Sequence, residues 1–206
     1  MRFRYLRWGA TDQEVGDSLP GDDLIPNADM IATRAITIRA AADQVWPWIA
    51  QLGQGRGGFY SYDRLENLVG CNIHSSDRIL LELQDIKVGD EIRLAPQVGL
   101  AVAFAEQGRS LVLRGGIPMG TRAAPYDFTW AFTLREEPGG STRLLVRERY
   151  VYTRAWARLI VEPTELLSFV MSQKMLRGIR DRAERTAAPT SEGSRVRDAT
   201  KAIQPS

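Results

Sequence analysis

The chain has 206 residues, 44% hydrophobic and 25% charged. This is enough apolar material for one domain with its own core, and it excludes a wholly disordered chain. Lys+Arg 27 against Asp+Glu 25 gives a net charge of +2, too small for a dedicated nucleic-acid binder. The single cysteine, Cys71, rules out an intramolecular disulfide framework, and the single histidine, His74, rules out a multi-histidine metal centre.

Residues 1–28 read as an extended arm in which Asp12, Gly16, Asp17, Pro20, Gly21, Asp22, Asp23 and Pro26 are turn formers or acids. Phe3, Tyr5, Leu6 and Trp8 are the side chains that could dock it. Arg2, Arg4 and Arg7 precede polar residues rather than an apolar stretch, so no secretory signal is expected. No apolar run approaches the roughly 20 residues of a membrane-spanning helix. The expectation is a cytoplasmic protein.

Ile31 to Ile38, with Thr33, Ile36 and Thr37, suits a strand. Asp43 is a reasonable N-cap for a helix carrying Val45, Trp46, Trp48, Ile49 and Leu52 on one face, and Gly53 stops it. Gly53, Gly55 and Gly58 match the spacing of a dinucleotide-binding loop. That chemistry needs a strand before the first glycine and a helix after the last. Here a helix precedes, so the segment reads as an interhelix link. Tyr62, Leu65, Leu68 and Val69, closed by Gly70, form a second short helix.

From Val88 the period becomes two. Ile92 and Leu94 alternate with Glu91 and Arg93; Leu100, Val102 and Phe104 alternate with alanines; and Leu111 and Leu113 alternate with Ser110, Val112 and Arg114. In Asp127 to Arg135, Phe128, Trp130, Phe132 and Leu134 share one face, and Pro138-Gly139-Gly140 turns the chain into Arg143 to Val151. Leu144, Val146 and Tyr150 share a face there. Either Glu148 lies on that face and needs a cationic partner, or a bulge changes the register. Asp63, Arg78, Arg93 and Arg114 are the charged candidates, and a cross-strand ion pair near the rim satisfies the same requirement. After Pro163, read as a first helical position, Leu167, Met171, Met175, Leu176, Ile179 and Ala183 line one side of a long helix. Residues 187–206 lack periodicity and read as a disordered tail.

The fold class is therefore α+β, a helix grip: a curved antiparallel sheet wrapped around a long C-terminal helix, with two short helices after the first strand. The domain spans residues 29–186.

This order resembles the START/Bet v1-like superfamily, also called SRPBCC or polyketide cyclase/dehydrase-like. The segments that carry the resemblance are Ala32 to Ala40 with Val45-Trp-Pro-Trp48, Gln54 to Asp63, Ile73 to Arg78, Val88-Gly-Asp90, Thr129 to Phe132, Arg143 to Arg149 and Met175 to Asp181. They look like those of a bacterial SRPBCC subgroup. By composition alone Phe104, Phe128, Trp130, Phe132, Met171 and Met175 read as core filler. The resemblance implies instead a cavity between sheet and helix for a small hydrophobic or amphipathic ligand. Trp48, Tyr60, Phe104, Trp130, Met171 and Met175 would line it, Glu148 or Arg147 would be the polar contact, and the Gly53–Gly58 link with the second helix would gate the mouth.

The resemblance also permits a cyclase/dehydratase-type enzyme, with His74, Asp63 or Glu148 as pocket acid or base. A third reading is an interaction module with a filled core. His74 alone reads as a local cap, because no motif sets a nucleophile beside it, and Cys71 as a small half-buried thiol. No metal, cofactor or nucleic-acid partner is expected.

Overall fold

The computed structural model describes residues 5–68, 70–116 and 123–188. Phe3, Val69 and the tail beyond residue 188 lie outside the described residues. A short helix α1 (Asp12–Gly16) precedes strand β1 (Met30–Ile38) and helices α2 (Ala42–Ala50) and α3 (Asp63–Leu68). Five further strands follow: β2 (Glu91–Ala95), β3 (Val98–Glu106), β4 (Ser110–Gly115), β5 (Tyr126–Glu137) and β6 (Ser141–Tyr152). Helix α4 (Arg158–Ala187) closes the domain. The strands form one antiparallel sheet in the order β1-β6-β5-β4-β3-β2, and α4 packs across its inner face. This is the helix-grip arrangement.

The helix starts differ from expectation. Ala41, not Asp43, is the N-cap of α2, and its N–H donates to Gln44 Oε1 at 3.2 Å. Asp43 falls in the first turn instead, where its charge meets the positive end of the helix. Helix α4 begins five residues before Pro163, supported by the Arg158–Glu162 pair at 2.8 Å. Pro163 is thus internal and removes the helical donor for the Leu159 carbonyl.

The core lies between the sheet and the two longer helices. Leu100, Leu111, Leu113, Phe132, Leu144 and Val146 from the strands meet Trp48, Ile49, Leu176 and Ile179 from the helices, all buried. Gly178 is what lets α4 approach the loop after α2: a Cβ there would stand 2.4 Å from the Tyr60 carbonyl oxygen. In the β5–β6 hairpin Gly139 and Gly140 take φ of 90° and 79°, which only glycine adopts cheaply.

The outer face of the sheet is also covered, by the segment before β1. The Ala35 N–H on the edge strand donates to the Trp8 carbonyl at 3.0 Å, so the arm protects an edge that would otherwise be open. Leu19 packs with Ala35 and Leu145, and the buried Val112 lies beneath Gly21. This explains why Thr33, Ala35, Thr129, Ala131 and Leu145, all on the outward positions of their strands, are buried.

Candidate functional site

Neither β-ladder of β6 is shifted: Ala32 pairs with Glu148, Arg34 with Val146 and Trp130 with Glu148. Strict alternation therefore puts Leu144, Val146, Glu148 and Tyr150 on the inner face and Arg143, Leu145, Arg147 and Arg149 on the outer one. No bulge intervenes. Glu148 needs a cation, and its partner is Arg34 of β1, not Arg78, Arg93 or Arg114 as the sequence suggested. The reason is topological. Closing β1 against β6 brings a strand 114 residues away in sequence alongside it. A single charge amid Ala32, Arg34, Ile36 and Ile38 was the signal available.

Between this part of the sheet and the first half of α4 lies a cavity of about 470 Å³. Phe59, Trp130, Met171 and Met175 are among its apolar walls, with Phe128 stacked on Tyr150 at 5.1 Å between centroids. Its polar wall is a buried cluster. Arg34 Nη1 donates to Glu148 Oε1 at 2.8 Å, and Nη2 donates to Glu165 Oε1. Glu148 also accepts from the Tyr150 hydroxyl at 3.1 Å and from Ser168 and Ser172 at 3.4 Å each. Arg34 is fully buried, and Glu148 and Glu165 are 3% and 2% exposed.

Burial dominates the electrostatics. It pushes the Glu165 carboxyl up to about 8, reinforced by the charge of Glu148 and opposed by Arg34. Burial, then the two neighbouring carboxylates, raises the Tyr150 hydroxyl well above its ordinary range. For Arg34 burial acts downward, but Glu148 and Glu165 outweigh it and hold the guanidinium charged. The site can thus present a neutral carboxylic acid and a carboxylate side by side in an apolar chamber.

Of the residues expected at the cavity, Trp130, Glu148, Met171 and Met175 stand in its wall. Trp48, Tyr60, Phe104 and Arg147 do not. Trp48 is core, edge-on to Tyr60 at 5.8 Å, and Tyr60 lies under the Arg182 guanidinium at 4.6 Å. Phe104 is 38% exposed because a register shift between Val102 and Phe104 turns it outward. Arg147, on the outer face, holds the arm. It bonds Thr33 Oγ1, Asp22 Oδ2 and the carbonyls of Glu14, Val15 and Asp17.

His74 is exposed and away from the cavity. Asp63 accepts from the Ser75 backbone N–H at 2.7 Å and the Ser75 hydroxyl at 2.6 Å, so it organises the loop after α3. The Gly53–Gly58 link closes on itself through a bridge between its ends. Arg56 is turned inward onto the carbonyls of Ala50, Leu52 and Leu83, and just beyond the link Phe59 and Ser61, but not Tyr60, reach the cavity. Cys71 is half-buried in the cavity wall. Sequence reasoning missed Arg34, Glu165, Ser168 and Ser172. The helical ones sit one turn or less from the apolar stripe and read as its polar margin.

What the fold and the site define is a helix-grip protein with an apolar chamber and a buried ionic cluster. No family model matches the chain, and no curated protein does. Among solved structures it is similar to the Zhui aromatase/cyclase from Streptomyces sp. R1128, with 14% identity and a TM-score of 0.45, over 76% of this chain and 94% of that one. It is similar also to the Polyketide_cyc-like protein Cgl2372 from Corynebacterium glutamicum, with 14% identity and a TM-score of 0.40, over 73% and 88%. A third is protein MLL2253 from Mesorhizobium loti, with 14% identity and a TM-score of 0.43, over 75% and 98%. These likenesses concern the fold. No helix among the described residues is long and apolar enough to cross a membrane.

Proposed function

We propose that this chain binds a small hydrophobic or amphipathic molecule between its sheet and α4. The observation that carries the reading is the chamber itself: about 470 Å³, apolar over most of its wall, with its charged wall residues, Glu148 and Glu165, gathered into one cluster with Arg34. That size and composition suit a drug-sized ligand oriented by a few polar groups. Apolar burial at roughly 25 cal/mol per Å² supplies the affinity, so each ~100 Å² of ligand surface covered contributes about 2.5 kcal/mol. Trp130, Met171 and Met175 would make those contacts and Glu148 would help fix orientation. Methionine suits such a wall because its flexible thioether adapts to different shapes.

The test is native mass spectrometry of the protein as purified, followed by solvent extraction and mass analysis of what is released. A reproducible companion mass, absent after extraction, is the expected result. A clean apo mass, together with no thermal stabilisation by 1-anilinonaphthalene-8-sulfonate or a medium-chain alcohol, would sink the reading.

One observation favours a second reading, an acid/base enzyme of the cyclase/dehydratase kind. A carboxyl raised to about 8 is poised to exchange a proton near neutral pH, and Glu165 stands in the chamber wall. In that case Glu165→Gln would abolish turnover of the extracted companion while leaving its binding intact. Unchanged turnover in Glu165→Gln and Glu148→Gln would discard it.

A further inference from the structure

The cluster holds two carboxylates and one guanidinium, and its hydrogen bonds treat the two acids differently. Glu148 accepts on both oxygens, Oε1 from Arg34 and Ser172 and Oε2 from Tyr150 and Ser168. Four donors around one carboxyl are the surroundings of an ionised carboxylate. Among the described residues Glu165 accepts from Arg34 alone, and on Oε1 alone. A single buried guanidinium balances one of the two charges, and a second uncompensated carboxylate in this chamber is expensive. The proton that restores balance therefore belongs on Glu165. Carried on Oε2, it makes that oxygen an O–H donor in the chamber wall, and among the described residues no acceptor meets it.

We propose that the ligand carries an uncharged oxygen acceptor, such as a ketone or ester carbonyl, beside its apolar body, and that the Glu165 carboxyl donates to it. This rests on the reading of the chamber as a binding site and adds a selectivity to it. A ligand carboxylate would face Glu148, whose charge repels it. A ligand ammonium would reach the same balance only by displacing the proton from Glu165 and burying one more charged headgroup in an apolar chamber. The titratable groups facing Glu165 are Arg34 from β1 and Glu148 and Tyr150 from β6, with Tyr126 of β5 beside Tyr150. Arg34 stays charged and Tyr150 stays protonated, so neither offers the ligand a change of role near neutral pH.

Four naphthalenes of nearly equal size separate these cases: 2-acetylnaphthalene, its hydrocarbon isostere 2-isopropenylnaphthalene, 2-naphthoate and 1-(2-naphthyl)ethylammonium. Their dissociation constants would be measured calorimetrically on the full chain at pH 6 and pH 9.5. At pH 6 the ketone is expected to bind about tenfold tighter than the hydrocarbon, the worth of one hydrogen bond from a donor otherwise left unmade. At pH 9.5 that preference should fall towards one. In Glu165→Gln, whose amide keeps a donor without titrating, it should persist at both pH values. Equal binding of ketone and hydrocarbon at pH 6 would overturn the proposal while leaving the chamber a binding site. Preference for the naphthoate or the ammonium would overturn it in favour of an ionic headgroup. If none of the four binds and no companion mass is found, the binding reading itself fails and this one with it.

Discussion

Arg34 shows how much one side chain can depend on the rest of the molecule. It is fully buried on a strand, bonded to two acids, to Ser172 at 3.3 Å and, through Nε, to the Tyr5 carbonyl at 3.4 Å. Replacing it by methionine keeps the volume but leaves Glu148 and Glu165 without a cation. We expect a loss of about 3–5 kcal/mol at pH 8, read from urea unfolding, and a smaller loss at pH 5, where a proton can replace the missing charge. Glu165 sets a second pH dependence. Its folded value, about 8, lies above the ordinary 4.5. Between those values the folded protein holds a proton that the unfolded chain has released, so stability falls as pH rises through that window. Wild type should therefore lose stability relative to Glu165→Gln from pH 4.5 to 8. A parallel pH profile for the two proteins would refute the assignment.

The arm is the element whose role changes most between sequence and structure. Its capping-box helix α1, opened by Thr11 and Glu14, places Glu14 against Arg143 at 2.7 Å. Asp22 meets Arg147 at 2.6 Å, and Arg149 Nε donates to the Ile25 carbonyl at 2.9 Å. The three arginines on the outer face of β6, Arg143, Arg147 and Arg149, are what make that face a seat for an acidic, turn-rich segment. The hydrogen bond from Arg143 holds the Glu14 carboxyl down at about 2. A depressed value contributes stability above pH 4.5 that is lost as pH falls towards 2. Glu14→Gln should cost roughly 1–2 kcal/mol at pH 7 and little at pH 2.5, by thermal unfolding. An equal cost at both would show that the pair contributes nothing.

The chamber exists because the sheet curves away from the N-terminal half of α4 while Gly178 lets the C-terminal half press against Tyr60. One end of the grip is closed by Trp48, Leu176 and Ile179, and the other stays open around the ionic cluster. Filling the open end should remove binding without removing the fold. Met171→Trp, which adds volume in the chamber wall, is expected to keep native circular dichroism and lose the companion mass. A variant that folds and still carries the companion would put the ligand elsewhere.

The chain's own pattern determined the architecture. Period-two runs from Val88 to Val151 and period-3.6 runs at either end leave one way to bury all the apolar faces, because each side chain's direction follows from local backbone geometry. Local pattern also put Glu148 on the inner face, since alternation along one strand needs no knowledge of its neighbours. It could not identify Arg34 and Glu165 as the partners of Glu148, or send Phe104 outward, or cover the outer face with the arm. Those depend on which distant strands lie side by side, on a bulge that shifts register, and on a second layer laid over the sheet. The chamber belongs with them, for an unfilled volume is a property of how packed surfaces fail to meet, and no single segment of sequence contains it.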